Sequence, residues 1–359
     1  MTAAHDGASK AATIVVCVAA IAAAFAAEPI AQVPQVAERV EVARVVVDLH
    51  VLGDDGRPVR GLSADDLKVS VDGKPVRIES LRWTAGAVAL RDIASPLPAS
   101  GLAAGAPADA PGRLVMLFFQ KDLEPSRMEG LMIMLRQAEA LVAGLDPGDR
   151  VAVASFEHHL ELWSDFTTDR ADVRAILTRS ILFAGRAGEL VTGDPPLLAG
   201  PFDREAGRRA ASMEQALVVV GAALDRLPGA KAVVLVGHGF GRMIGGGGLA
   251  TGRVGYEPDY REARRLLARA RATVYCLDVT RADSHTLEAG LIRVAEDTGG
   301  FFMRTNWFPA QAVSRLGEVL AGHYELSFEK PDLPRGEHVI RVELVGRRGV
   351  VLARRTYVG

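Results

Sequence analysis

The chain has 359 residues, 49% of them apolar and 24% charged, and a formal net charge of −2. These are the proportions of an ordinary globular protein, and the length asks for about two folding units at roughly 150 residues each. With no basic excess to neutralise a phosphate backbone, nucleic acid is excluded as the main partner; with no fixed repeat period, a solenoid or propeller is excluded too.

Lys10 precedes an unbroken run of small and apolar residues, 11–27, which ends in Ala24-Phe25-Ala26 and is followed by Glu28-Pro29. A positive residue, a short apolar core and a small-residue site read as a signal peptide over residues 1–27. The run falls short of the roughly 20 residues that a spanning helix needs. The expectation is an exported protein, periplasmic or secreted, with no membrane span in its mature form. Cys17 leaves with that segment. Cys276, inside the strand-like run 272–277, reads as a small buried hydrophobe, so the mature chain is expected to lack an intramolecular disulfide.

Residues 38–84 read as a β unit. A β-branched run at 40–52 is followed by the turn Asp54-Asp55-Gly56, an alternating run at 67–71, a hairpin signal at Asp72-Gly73 and a further run at 76–83. Residues 85–112, rich in Ala, Pro, Gly and Ser, read as a linker.

From residue 113 the pattern changes. The continuous apolar run 114–119 suits a strand buried on both faces. Met128, Leu131, Leu135, Ala138, Val142 and Leu145 then recur at helical steps. Strands follow at 151–156, 159–163, 231–236, 273–279 and 301–304. Helices alternate with them at 169–183, 213–227, 258–270, 287–298 and 309–320. This alternation over 113–322 specifies an α/β, doubly wound, mostly parallel sheet with helices on both faces. Residues 323–359 return to strands, at 324–328, 338–345 and 350–357. Neither flank can bury a core alone, so the two are expected to pair into one β-sandwich flanking the α/β domain.

The element order resembles that of the von Willebrand factor A (vWA) domain, and Leu145-Asp146-Pro147-Gly148-Asp149-Arg150-Val151-Ala152-Val153-Ala154-Ser155-Phe156 is similar to that fold's passage into its second strand. The whole chain from about residue 40 resembles the exported bacterial VWFA-related proteins of the Acidobacterial type. Gly61-Leu62-Ser63-Ala64-Asp65-Asp66-Leu67 and Val71-Asp72-Gly73-Lys74-Pro75 carry the likeness at one end, and His323-Tyr324-Glu325-Leu326-Ser327-Phe328 and Arg354-Arg355-Thr356-Tyr357 at the other. The resemblance implies the fold more firmly than any function.

Many A domains hold Mg²⁺ through an Asp-x-Ser-x-Ser loop, a Thr from a later loop and an Asp after the fourth strand. Against that pattern, Gln120 stands for the first Asp, Asp122 and Glu124 for the two serines, Ala211 (with Ser212 beside it) for the Thr, and His238 for the last Asp. The motif is degenerate, and no cofactor is expected. Asp122 and Glu124 could rebuild an oxygen site for Mg²⁺, and His238 could add a nitrogen ligand. The plainer reading makes the acids solvated groups at a helix N-terminus and satisfies His238 by a backbone group in its turn.

Gly237-His238-Gly239-Phe240-Gly241 looks like a nucleophile elbow, but Gly239 stands where the serine belongs. Ser155 ends a strand with no base marked for it. Residues 245–248 are glycines without the Lys-Ser/Thr that closes a phosphate loop. His158-His159 read as surface residues. The segment 184–211, long and apparently irregular, carries Arg186, Arg204, Arg208 and Arg209 and leaves the carboxyl side of the sheet, so these arginines are the candidates for partner binding. The reading is an exported, non-enzymatic protein–protein interaction module whose partner is a protein or other cell-envelope macromolecule. The alternatives are a metal-dependent adhesion domain using Asp122 and Glu124, and an unrecognised hydrolase.

Overall fold

The computed structural model describes residues 44–85, 112–183, 190–193, 195–244, 253–255 and 258–359. The expected signal peptide (1–27), all of the expected linker (85–112) except its end residues, Arg186 and the glycines 245–248 lie outside them. In chain order the first elements are β1 (Arg44–Leu52), a 3₁₀ turn (Ala64–Asp66), β2 (Leu67–Val71), β3 (Lys74–Val76) and β4 (Ile78–Ala85). The α/β part opens with β5 (Leu114–Gln120), α1 (Pro125–Gly144), β6 (Arg150–Phe156) and β7 (Leu160–Thr167). Next comes α2 (Arg170–Ala175), continued by a π-helical stretch (Ile176–Ser180) into α3 (Ile181–Phe183). Then follow α4 (Arg204–Arg209), α5 (Met213–Asp225), β8 (Lys231–Gly237) and the short hairpin strands β9 (Arg242–Ile244) and β10 (Arg253–Gly255). The domain closes with α6 (Asp259–Arg269), β11 (Ala272–Asp278), α7 (Glu288–Thr298), β12 (Phe302–Arg304) and α8 (Pro309–Leu320). The last strands are β13 (Gly322–Glu329), β14 (Glu337–Leu344), β15 (Val350–Ala353) and β16 (Thr356–Val358).

The central sheet has the order β12-β11-β8-β5-β6-β7, parallel throughout except for the edge strand β7. Val115 to Phe119 are fully buried, which is what a continuous apolar run in a doubly covered strand requires. Alternation along the strands sorts their side chains into two cores. Met116, Phe118, Ala154, Val233 and Leu235 pack with residues of α5, α6 and α7 on one face. Val115, Leu117, Phe119, Val153, Val234 and Val236 pack with residues of α1, the α2–α3 stretch and α8 on the other.

The two β flanks form one sandwich. β1 lies between β13 and β15, in a sheet of order β15-β1-β13-β4, and β14 pairs with β2 in a sheet of order β16-β14-β2-β3. Val47, Leu49, Val69, Tyr324, Leu326, Phe328 and Ile340 share its core. Chain ends more than 200 residues apart therefore supply each other's neighbours, and neither half has a complete sheet of its own.

A buried polar network joins the sandwich to the amino-terminal edge of the central sheet. The Asp48 carboxylate accepts from Arg271 Nε (2.8 Å) and Nη2 (2.5 Å), and Arg271 also reaches Glu325 (2.7 Å). Burial works against the charged form of Asp48, but Arg271 and His323 outweigh it and hold the carboxyl well below its ordinary range. His50 Nδ1–H donates to the Gly322 carbonyl (3.1 Å), which leaves Nε2 to accept the Tyr275 hydroxyl (2.7 Å). Burial and the neighbouring His323 push the His50 imidazole down to about 3.

Acid should therefore loosen the protein well above the carboxylate range. The folded pKa of His50 lies below that of a free imidazole, about 6.5. Its contribution is complete above about pH 6.5 and is lost as pH falls, because the unfolded chain binds the extra proton. Asp48 adds its own loss only below about pH 4. The urea midpoint should fall between pH 6.5 and 4.5, and His50→Gln should flatten that slope; the same slope in the variant would show that His50 does not carry it.

Candidate functional site

In a doubly wound sheet, ligands sit beyond the carboxyl ends of the strands where successive connections diverge. Here that point falls between β5 and β8, the central pair of the order above. Gln120 ends β5, and His238 and Gly239 form the turn after β8. The buried Gln120 side chain bridges the two. Its Oε1 accepts from the amides of His238 (3.1 Å) and Gly239 (3.0 Å), and its Nε2 donates to the Gly239 carbonyl (2.8 Å). This arrangement explains the glycines of the elbow-like sequence. A Cβ on Gly237 would lie 2.5 Å from Gln120 Oε1. Gly239 has φ +99°, and a Cβ there would lie 2.1 Å from the Leu287 carbonyl oxygen.

Asp122 and Glu124 follow in the loop after β5. Glu124 caps α1, accepting from the Arg127 amide (3.0 Å) and from the Ser126 hydroxyl. These two donors, the hydroxyl first, hold its carboxyl below the ordinary range. Asp122 accepts the Glu124 amide (3.1 Å) and forms an ion pair with the Arg127 guanidinium. Burial raises the Asp122 carboxyl, but Arg127 and that amide prevail and lower it. The acids are thus not simply solvated: the chain itself supplies the cation that neutralises Asp122. His238 Nε2 lies 3.6 Å from Asp122, beyond hydrogen-bond range. Burial, and then the charge of Arg127, push the His238 imidazole down to about 4. Its Nδ1 is buried without a hydrogen-bond partner, contrary to the expectation that a backbone group satisfies it.

The remaining residues expected in the metal motif stand apart. Ser212 caps α5, its hydroxyl accepting the Gln215 amide (3.2 Å), and the Ala211 amide donates to Gln215 Oε1 (2.9 Å). The described part of the segment 184–211 is regular only in α4, but it is held in place by contacts with β7. Val191 forms a parallel bridge to Ser164 of β7, and the fully buried Asp165 carboxylate accepts the amides of Leu198 (2.8 Å) and Ala199 (2.9 Å). Arg204, Arg208 and Arg209 belong to α4, which closes over the start of β7, where a Cβ on Gly207 would lie 3.0 Å from the Leu160 carbonyl oxygen. Arg208 and Arg209 are exposed and share Glu205 as ion-pair partner. This edge lies four strand positions from β11, so the arginines do not adjoin the loop after that strand.

Other candidates for chemistry are committed elsewhere. Ser155 is buried, and its hydroxyl accepts the Trp163 indole N–H (2.8 Å). Cys276 is a free, buried thiol that burial pushes well above its ordinary pKa. One grouping carries no signal in the sequence. Asp278, His285 and Glu288 place one donor atom each within 4.8 Å of one another at the end of β11. Their spacing follows no metal motif, because a turn rather than a helix or strand brings them together.

A six-stranded doubly wound sheet of this order, with an antiparallel edge strand and its switch point beside Gln120 and His238, defines a vWA-like domain. No protein-family model matches the chain and no curated protein sequence matches it. Among solved structures, proximal thread matrix protein 1 from the mussel byssus is similar at 14% identity and TM-score 0.38, over 58% of this chain and 48% of that one. The chain thus spans about half the length of the mussel protein. BatB from Bacteroides thetaiotaomicron is similar at 15% identity and TM-score 0.36, over 58% of this chain and 98% of that one. Manganese-loaded TRAP protein from Plasmodium vivax is similar at 12% identity and TM-score 0.38, over 68% and 93%. At such values the strand order of this chain, not the likeness, carries the fold assignment.

Removing the Gln120 amide should be costly. Gln120→Ala leaves two buried N–H groups and one carbonyl without partners, an expected loss of roughly 2–4 kcal/mol in urea unfolding. Gly237→Ala, which drives a methyl into the amide, should show a comparable loss. If both variants stay within about 0.5 kcal/mol of the parent, as surface substitutions do, water has replaced the amide and the bridge is not structural.

Proposed function

We propose that this protein is an exported, non-enzymatic interaction module that docks a protein or other cell-envelope macromolecule on the carboxyl face of its central sheet, without Mg²⁺ at the A-type position. The observation that carries this reading is the closed crevice: Gln120 fills the switch point and Arg127 neutralises Asp122. An ion there would have to displace both. Against catalysis by an acyl-enzyme route stand Gly239 at the elbow position and the Ser155 hydroxyl tied to Trp163. In favour of docking, Leu123, Trp307 and Phe308 are 73%, 74% and 67% exposed in loops after β5 and β12, at the same end of the sheet. Aromatic residues beside paired charges suit a protein interface. The exposed arginines of α4 extend that face toward β7. No helix among the described residues is long and apolar enough to cross a membrane.

Titration with Mg²⁺ or Ca²⁺ should give no heat and no shift in thermal midpoint. Arg127→Ala, which strips Asp122 of its counter-ion, should introduce a Mg²⁺-dependent rise in that midpoint. Immobilised protein should also retain the same partner from envelope extract in metal-free buffer and in excess Mg²⁺. Reversing the charge of Arg204, Arg208 and Arg209 together should weaken capture about tenfold. A partner held only when Mg²⁺ is present would return the site to Asp122 and Glu124 and overturn the proposal.

A further inference from the structure

We propose that Asp278, His285 and Glu288 form a binding site for a divalent transition-metal ion of the zinc class, one strand to the side of the crevice that Gln120 closes. Asp278 ends β11 and is fully buried; His285 lies in the turn that follows, and Glu288 opens α7. In the sheet register Asp278 pairs with Gly237, next to the strand that Gln120 ends. The site is therefore distinct from the residues that replace the A-domain metal motif.

The donors are close and held. His285 Nε2 lies 2.8 Å from Asp278 Oδ2, and the donor atoms of all three residues fall within 4.8 Å of one another. Zinc bonds to nitrogen and oxygen of about 2.0–2.2 Å put tetrahedral ligands roughly 3.3 Å apart. Small side-chain adjustments thus suffice to surround one ion. Nε2 would take the metal while the ring proton moves to Nδ1, and a fourth position would remain open to water. Asp278 and Glu288 also have supporting contacts of the kind that orient metal ligands. Asp278 Oδ1 accepts the Thr280 amide (2.9 Å), and the Asp278 carbonyl accepts the amide (2.9 Å) and hydroxyl (2.7 Å) of Thr305. Arg304 Nε and Nη2 hold the two Glu288 oxygens, both at 2.8 Å, and each oxygen keeps a further lone pair.

A second observation points to a ligand here. His238 and Thr280 are each more than nine-tenths buried, and His238 Nδ1 and Thr280 Oγ1 have no hydrogen-bond partner. Both belong to the turns that frame the triad. The Thr280 amide is bound to the Asp278 carboxylate, and the turn containing His238 abuts α7, with Phe240 N–H donating to the Leu287 carbonyl (3.2 Å). Buried polar groups without partners are uncommon unless something outside the chain completes them. An ion bound at the triad, with its water, would offer such a partner. The donor set selects the metal: one imidazole nitrogen with two carboxylate oxygens suits zinc, whereas Mg²⁺ and Ca²⁺ favour all-oxygen shells.

The test is zinc uptake by the full chain after chelator stripping, read by calorimetry and by competition with a chromogenic chelator. Cobalt substitution adds a visible spectrum that reports coordination. Uptake of about one equivalent, unaffected by millimolar Mg²⁺, is expected. Asp278→Asn and His285→Ala should each weaken it about tenfold or more, with His159→Ala as the unaffected control. Glu288→Gln, which keeps shape and changes only charge, serves if the buried Asp278 variant does not fold. No uptake by the parent chain, or equal uptake in the variants, overturns the site. Neither result touches the Mg²⁺ titration above, so the two proposals fail separately.

Discussion

The side chain of Gln120 spans the crevice between β5 and β8, and much of the carboxyl face follows from that one amide. Two N–H groups and one carbonyl of the His238-Gly239 turn are satisfied by it. Gly237 is without a side chain because the amide lies where its Cβ would be. The group at this position is neutral, and for Asp122 in the loop that follows Arg127 supplies the compensating charge from the first turn of α1. That guanidinium in turn helps keep His238 neutral. A neutral, longer amide at this position thus sets the electrostatics of the whole loop cluster, because a low-dielectric crevice tolerates little uncompensated charge.

The opposite end of the sheet is built for attachment. Asp48, Arg271, Glu325, His50 and Tyr275 join the sandwich to the amino-terminal edge of the α/β domain. A network of this kind is unforgiving, since loss of one partner leaves another charge or dipole buried alone. Anchoring one end of the sheet to the sandwich leaves the carboxyl end to present loops. The two ends therefore carry different duties: one fixes geometry, the other offers paired charges, exposed aromatics and the Asp278 triad.

The triad and the closed crevice lie side by side but differ in chemical character. In the crevice, the Gln120 amide satisfies the His238-Gly239 backbone and Arg127 neutralises Asp122. At the end of β11, by contrast, a fully buried carboxylate lies beside an imidazole and a second carboxylate, the latter paired with Arg304. The two lie close together because neighbouring strands in a parallel sheet are only about 4.8 Å apart. Each loop then tunes its own surroundings.

Much of the architecture is legible in the sequence. The apolar run at 114–119 and the helical stripe from Met128 specify a strand covered on both faces and a helix against it, since periodicity reports burial directly. The residues that stand at the metal-motif positions, Gln120, Asp122, Glu124, Ala211 and His238, follow only from the resemblance to A domains. Their partners are not legible, because they are set by three-dimensional proximity: Gln120 meets a turn more than 100 positions away, and Ser212 is turned to capping α5. The segment 184–211 reads as irregular because what holds it comes from β7 and the Asp165 carboxylate rather than from its own periodicity. The Asp278, His285 and Glu288 grouping has no signature for the same reason. Composition and spacing alone determined the α/β class and the alternation of elements, because both depend on local pattern. Only the tertiary structure decided what fills the crevice, what pairs with the acids and which side chains converge beyond β11, because those depend on how separate strands are brought into register.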